Sequence, residues 1–348
     1  VIRVLLRLAR LSNAPTVASQ CLAGAWLAHA AFAPGTTFDW LALLRVTVTC
    51  LLAYAGGMIL NDVLDERVDR RERPDRPIPS GAIARARAGA AAVACLGAAL
   101  GIAWIFGHAM EARATVALVV AAVLYDAIHL RTRAATILLG ACRGLVYVVA
   151  GCGQAATGLP EEAWAMLVAP ALFVGAFVTL FSLVARGEAD PAEEVASRIR
   201  CGRCGGTAAR ADRACPSCGA TLDAATGLGI LVARPASGRG AWMEALGILP
   251  ILAILATLSV HATAKGADFA PVPPALLGVV VLAPWTLAAG RLARRGGPFV
   301  GPAIGRWIAS ISLVDATLLL AVGQPWPALA AFACFVAARL LSRRIAPS

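Results

Sequence analysis

The sequence predicts an all-α fold, a polytopic membrane helical bundle of nine to ten transmembrane helices with one small cytoplasmic insertion. Three observations predict it. Of 348 residues, 59% are apolar and only 15% charged, mean hydropathy is +0.75, and apolar stretches of bilayer length recur along the chain. A water-soluble domain of this size carries more charge, so the chain is read as integral to the membrane.

Taken in order, the expected spans are 14–33, 39–60, 86–107, 112–129, 134–156, 163–184, 241–262, 272–290, 304–322 and 325–341. Nine are counted without the last, and the tenth returns the C-terminus to the side of the N-terminus. The first span is long, follows a few basic residues and lacks a small-residue cleavage signature, so it is read as retained. Arg3, Arg7 and Arg10 share a side with the Arg67–Arg87 loop, Arg131, Arg133, the Arg186–Arg239 loop, Arg291, Arg294, Arg295, Arg343 and Arg344, whereas Arg113 and Lys265 fall opposite. Positive residues stay on the cytoplasmic side during insertion, which places the N-terminus inside a bacterial cytoplasmic (inner) membrane. The net charge of +11 is thus a topological signal with some pull toward anionic headgroups, and not a nucleic-acid footprint.

The second span ends on the cluster Asn61-Asp62-Val63-Leu64-Asp65-Glu66-Arg67-Val68-Asp69. Asn61, Asp65 and Asp69 are spaced i, i+4, i+8, so on a helix they form one column of oxygen donors. Hard oxygens suit Mg²⁺, which commonly sits between one or two carboxylates and substrate phosphates. The alternative is a solvated cap that stops the helix sliding into lipid, but a plain cap needs neither Asn nor a four-residue carboxylate spacing. Further on, Arg143 falls inside the fifth span, where a charge is costly unless it faces a polar cavity or a partner, and Asp315 in the ninth span is a candidate partner.

The expected division is 1–185 for the first part of the bundle, 186–240 for a cytoplasmic loop and 241–348 for the second part. Within the loop, at about 199–222, Cys201-Gly-Arg-Cys204 and Cys215-Pro-Ser-Cys218 stand ten residues apart, each followed by Gly. Four thiolates in two knuckles suit a tetrahedral, structural Zn²⁺ with no open coordination position. Free thiols or disulfides are the alternatives, the latter disfavoured by a reducing cytosol. Such a ribbon braces the loop or docks a protein partner. Cys21, Cys50, Cys95, Cys142, Cys152 and Cys334 are scattered singly through apolar spans and read as small core residues.

The acid column, its place after the second span and the alternating topology resemble the UbiA superfamily of intramembrane prenyltransferases. Asn61, Asp62, Asp65 and Asp69 match that family's N-D-x-x-D-x-x-x-D motif, and Arg73-Pro74-Asp75-Arg76-Pro77-Ile78-Pro79-Ser80-Gly81 resembles its continuation. Tyr125 with Arg131 six positions on resembles a further family feature. The resemblance implies a UbiA-like bundle around a cavity, with a polar cap for an isoprenyl diphosphate. Asn61, Asp65 and Asp69 would hold Mg²⁺; Asp65, Asp69 and Arg143 would be catalytic. Asn61, Asp62, Arg73, Tyr125, Arg131, Arg186, Glu188 and Asp190 would bind substrate. The isoprenyl group would pass to an aromatic or other small acceptor.

The resemblance also implies a second acidic motif, D-x-x-x-D, at the end of the sixth span. Here the stretch reads Ser182-Leu183-Val184-Ala185-Arg186-Gly187-Glu188-Ala189-Asp190-Pro191-Ala192-Glu193-Glu194, with Arg186 near an expected acid. Together with Cys142-Arg143-Gly144-Leu145 and Asp315-Ala316, it resembles the EboC-like branch of the superfamily. The alternative function is a non-catalytic, isoprenoid- or lipid-binding membrane component of an assembly or export system.

Overall fold

The computed structural model describes residues 2–32, 37–155, 159–187, 198–201, 204, 207–209, 214, 217–219, 229–230, 243, 245–264, 272–295 and 299–344. Among them are twelve α-helices and one three-stranded sheet. Short α1 (Ile2–Leu8) leads through a left-handed Arg10 (φ 46°) to α2 (Ala14–Phe32). There follow α3 (Trp40–Leu64), α4 (Glu66–Glu72), α5 (Arg85–Phe106), α6 (Ala109–Ile128), α7 (Thr136–Gly153) and α8 (Glu161–Gly187). After strands β1 (Arg198–Cys201), β2 (Thr207–Ala209) and β3 (Gly229–Ile230) come α9 (Ile248–Ala264), α10 (Val272–Arg294), α11 (Val300–Ala321) and α12 (Pro325–Arg344).

Each of the ten expected spans overlaps a helix, with most ends shifted by a few residues, and the span expected from 241 corresponds to α9, which begins at Ile248. Seven of these, α3, α5, α7, α8, α10, α11 and α12, are long and apolar enough to cross a membrane. The other three depart for identifiable reasons. Helix α2 carries Thr16, Ser19 and Gln20, all buried; α6 carries Glu111, Arg113 and Asp126; α9 has 17 residues. Large apolar side chains project outward, Trp104 and Ile105 at 72% exposure and Trp326 at 80%, as lipid-facing surface requires.

With no water to expel between helices in lipid, close fit holds them together. Helices α7 and α8 illustrate it. A Cβ on Gly144 would lie 2.7 Å from the Ala171 carbonyl oxygen, and one on Gly140 would strike Thr179 and the Gly175 carbonyl. The main core gathers Tyr147 of α7, Phe177 of α8 and Trp307 of α11, while a second one groups Val46, Cys50, Leu118 and Val149. At the end of α11, Gly323 takes φ 74° and Gln324 N–H bonds the Leu319 carbonyl (2.9 Å). This glycine C-cap, with Pro325 opening α12, turns the last helix back antiparallel.

The sheet has order β2-β1-β3, with β1 antiparallel to both neighbours. Cys201 ends β1, Cys204 lies exposed in the turn before β2, and Cys218 stands in a turn before Gly219, whose φ is 69°. Cys215 and the Cys201 side chain lie outside the described residues, as do Glu188 and Asp190.

Candidate active site

The backbone carries the acid column across a helix boundary. Although α3 ends at Leu64, Asp65 N–H bonds Asn61 O (2.9 Å), Asp69 N–H bonds Asp65 O (2.9 Å) and Arg73 N–H bonds Asp69 O (2.8 Å). The ladder is interrupted between α3 and α4, where Val68 N–H turns to Asp65 O (2.9 Å), but these three i→i+4 bonds keep Asn61, Asp65 and Asp69 on one face. Prolines at 74, 77 and 79 then end the helix, and tight turns bring Arg76 back under the column. Its guanidinium is 2.7 Å from Asp69 Oδ2 and 3.5 Å from Asp62 Oδ1, with Arg10 a further 3.6 Å from Asp62. Asp69 is thus occupied by an ion pair, which the spacing alone did not predict.

Asn61 and Asp65 converge instead on the end of α6. Asn61 Nδ2 donates to Asp126 Oδ1 (3.3 Å), His129 Nε2 lies 3.0 Å from Asp65 Oδ1, and His129 Nδ1 lies 3.0 Å from the Asp126 carbonyl. Tyr125 stacks on the His129 ring with centroids 5.1 Å apart. Burial favours the neutral imidazole, but the hydrogen bond and charge of Asp65 outweigh it and raise His129 above its ordinary value. His129 escaped the sequence reading; its signal was the i, i+4 spacing from Tyr125.

Two cavities meet here. A polar one of about 600 Å³ has Asn61, Asp65, Asp69 and Glu72 on its wall, and Arg10, Arg73, Arg76, Arg131, Arg133 and Arg186 also line it. An apolar one of about 150 Å³ is lined by residues such as Cys50, Ala53, Leu118, Val146 and Ile311, with Tyr54, Asp126 and Arg143. Arg10, Tyr125, Leu139, Phe181 and Ile308 line both. Arg186 is fixed by donating to the Thr132 carbonyl (2.7 Å).

Arg143 is not among the polar-cavity residues. It donates to the Thr16 hydroxyl (3.1 Å) and Gln20 Oε1 (2.9 Å), and lies 5.7 Å from the Tyr54 ring centroid. Neutral oxygens satisfy it in place of the acid expected of Asp315. That carboxylate, fully buried, accepts from Ser19 (2.6 Å) and Tyr147 (2.5 Å).

Among the described residues no group of three His, Cys, Asp or Glu side chains gathers closely enough to hold a metal ion. The site does contain buried carboxylate oxygens with no hydrogen-bond partner, Oδ2 of Asp62 and Oδ2 of Asp126, while Oδ1 of Asp62 and Oδ1 of Asp65 meet only the ion pairs with Arg10, Arg76 and His129. Such sparse hard donors fit Mg²⁺, which takes one or two carboxylates and completes its shell with water and phosphate oxygens.

Residues 21–193 match the UbiA prenyltransferase family model. A digeranylgeranylglyceryl phosphate synthase from Methanoculleus marisnigri is 39% identical over 90 residues, 25% of this chain and 30% of that protein. One from Methanopyrus kandleri is 34% identical over 106 residues, 30% and 36% of the two chains. The chain therefore spans about a third of these relatives' length. A solved structure described as digeranylgeranylglyceryl phosphate synthase in membranes superposes with a TM-score of 0.56, covering 92% of this chain and 98% of the other at 15% identity. That likeness establishes the shared fold.

Proposed function

We propose that this chain is a UbiA-type intramembrane prenyltransferase, Mg²⁺-dependent, which moves an isoprenyl group from its diphosphate to an aromatic or other small acceptor. The observation that carries this reading is the junction of an arginine-lined polar cavity, walled on one side by the acid column, with an apolar chamber at Tyr125 and Phe181. An amphiphile with a diphosphate head and hydrocarbon tail matches that division. The match of residues 21–193 to the family model supports it.

Arg73, Arg131 and Arg186 supply fixed positive charge for the diphosphate. Asn61 and Asp65, with Asp69 one turn on, would hold Mg²⁺, which when bound neutralises charge on the leaving diphosphate. The C–O bond breaks with its electron pair going to the diphosphate oxygen. The resulting allylic cation would lie at the neck, which the aromatic side chains Tyr125 and Phe181 line, since aromatic rings stabilise positive charge. The acceptor supplies the electron pair of the new bond and loses a proton; Asp126, with a free Oδ2, stands beside the neck to take it. Apolar walls keep water from the cation.

In the proposed topology all ten long helices cross the bacterial inner membrane, both termini are cytoplasmic, and the polar cavity opens to the cytoplasm. The β1–β2 hairpin supports the zinc ribbon, since Cys201 ends β1, Cys204 lies in the turn before β2 and left-handed Gly219 follows Cys218. Placement in the EboC-like branch draws support from Arg186, a cation on the cavity wall near the place of an expected acid.

Purified membranes are expected to release diphosphate from farnesyl or geranylgeranyl diphosphate when Mg²⁺ is present, and Asp65→Ala is expected to abolish release. Equal traces from both proteins would sink the enzyme reading. Arg186 favours one second reading, isoprenoid binding without turnover; it is indicated if both proteins bind the diphosphate and neither consumes it.

A further inference from the structure

On the other side of α11 lies a cluster that the prenyl site does not use. Ile304 and Ile308 line the polar cavity, and Arg306, halfway between them on the helix, points about 200° away. It enters an arrangement with Trp285 of α10 and Arg339 of α12. The Arg306 guanidinium lies 5.9 Å and that of Arg339 5.3 Å from the Trp285 ring centroid. The ring is itself fixed, because Trp285 Nε1 donates to the Arg306 carbonyl (3.0 Å) and Phe335 meets it edge-on at 5.0 Å. Arg343 follows Arg339 by one turn on the same face.

Two guanidiniums on one indole with a third beside them repel one another, and among the described residues no ion pair joins any of the three to an acid. Arg306 lies six residues past the start of α11, about 9 Å along its axis, where an uncompensated cation is costly. The cluster therefore calls for an anion. The surface next to it decides which kind: Phe332, Val336 and Leu340, at 42, 40 and 52% exposure, form an outward apolar stripe on α12 that runs into Arg339 and Arg343.

We propose that Arg306, Arg339 and Arg343 around Trp285 bind the phosphate of an anionic phospholipid, whose acyl chains lie along Phe332, Val336 and Leu340. The geometry joins a planar cationic fork to a hydrocarbon track, which a soluble phosphate does not need. The site is separate from the diphosphate cavity and stands whether or not the prenyltransferase reading does.

The test uses the full chain purified in detergent and titrated with phosphatidylglycerol, phosphatidylcholine or inorganic phosphate, reading bound lipid by native mass spectrometry and melting temperature by thermal shift. The wild type is expected to retain phosphatidylglycerol selectively and to gain melting temperature from it. Arg306→Gln with Arg339→Gln should weaken the lipid about 25-fold, roughly fivefold for each basic residue lost at a membrane surface. Arg306→Lys with Arg339→Lys, the variant to measure where the glutamine pair does not fold, keeps the charge but should lose part of the selectivity. Undiminished phosphatidylglycerol selectivity in both double variants, or equal stabilisation by phosphatidylcholine or inorganic phosphate, would overturn the proposal.

Discussion

Replacing Arg76 with Gln tests whether the turn after α4 holds the acid column in place. Arg76 is only 8% exposed and reaches Asp69 at 2.7 Å and Asp62 at 3.5 Å. At an effective dielectric constant of about 20 these contacts correspond to roughly 6 and 5 kcal/mol of attraction, most of it offset by desolvation. Asp62 keeps Arg10 at 3.6 Å when Arg76 is lost, so the cost falls mainly on Asp69, a carboxylate left buried. Breaking a buried pair from one side costs about 3–5 kcal/mol, or about 6–10 °C in melting temperature at roughly 2 °C per kcal/mol for a large chain. Thermal unfolding in detergent without Mg²⁺ measures it. Arg76→Gln with Asp69→Asn should recover at least half the loss, since the stranded charge is gone. A single variant melting within about 1 °C of wild type, or losses that merely add in the double variant, would refute the reasoning.

Three further outcomes follow from other contacts. Gly144→Leu should cost several kcal/mol, of the order seen for severe overpacking, because its side chain would meet the Ala171 carbonyl; loss of the monodisperse peak in size-exclusion chromatography reads this, and an unchanged peak contradicts the α7–α8 contact. His129 is raised by Asp65, so its contribution to stability is present in full below its unfolded value of about 6.5 and fades as pH rises through its higher folded value. In metal-free protein His129→Gln should therefore lower the melting temperature more at pH 6 than at pH 9, and an equal loss at both would remove the charged pair. Cys201→Ser should lower bound zinc while the bundle stays folded, by metal analysis beside circular dichroism; no zinc in the wild type would end the ribbon reading.

The helices were legible because bilayer length and apolar composition leave few other solutions, and all ten appear near their expected places. The acid column was legible because three i→i+4 bonds, linking Asn61 to Asp65, Asp65 to Asp69 and Asp69 to Arg73, keep its spacing across the α3–α4 boundary. Its partners were not. Nothing in local spacing says that Arg76 folds back onto Asp69, or that Arg10, from before the first span, reaches Asp62; both depend on how the turns after α1 and α4 are set. Arg143 was recognisable as a charge at membrane depth, but its satisfaction by Thr16 and Gln20 of α2 needed the tertiary arrangement. Asp315 was noticed for the same reason and proved to belong to Ser19 and Tyr147.

Arg186 bears most directly on how the proposed chemistry is arranged. Its bond to the Thr132 carbonyl fixes a positive charge on the polar cavity that also holds Asn61 and Asp65. A cation near the place of an expected acid repels a divalent ion there but attracts a phosphate oxygen directly. Under the proposed function the diphosphate would then lie between one Mg²⁺ at the column and the Arg186 guanidinium, with no second metal needed. Arg186→Gln should consequently weaken diphosphate binding while leaving Mg²⁺ affinity in the absence of substrate unchanged, as read by calorimetric titration of each. Arg186→Asp should weaken binding further at low Mg²⁺ and recover part of it as Mg²⁺ rises, because the new carboxylate offers a second cation ligand. If Arg186→Gln binds the diphosphate as tightly as wild type, the guanidinium is only a brace for the turn before α7 and the one-metal arrangement loses its support.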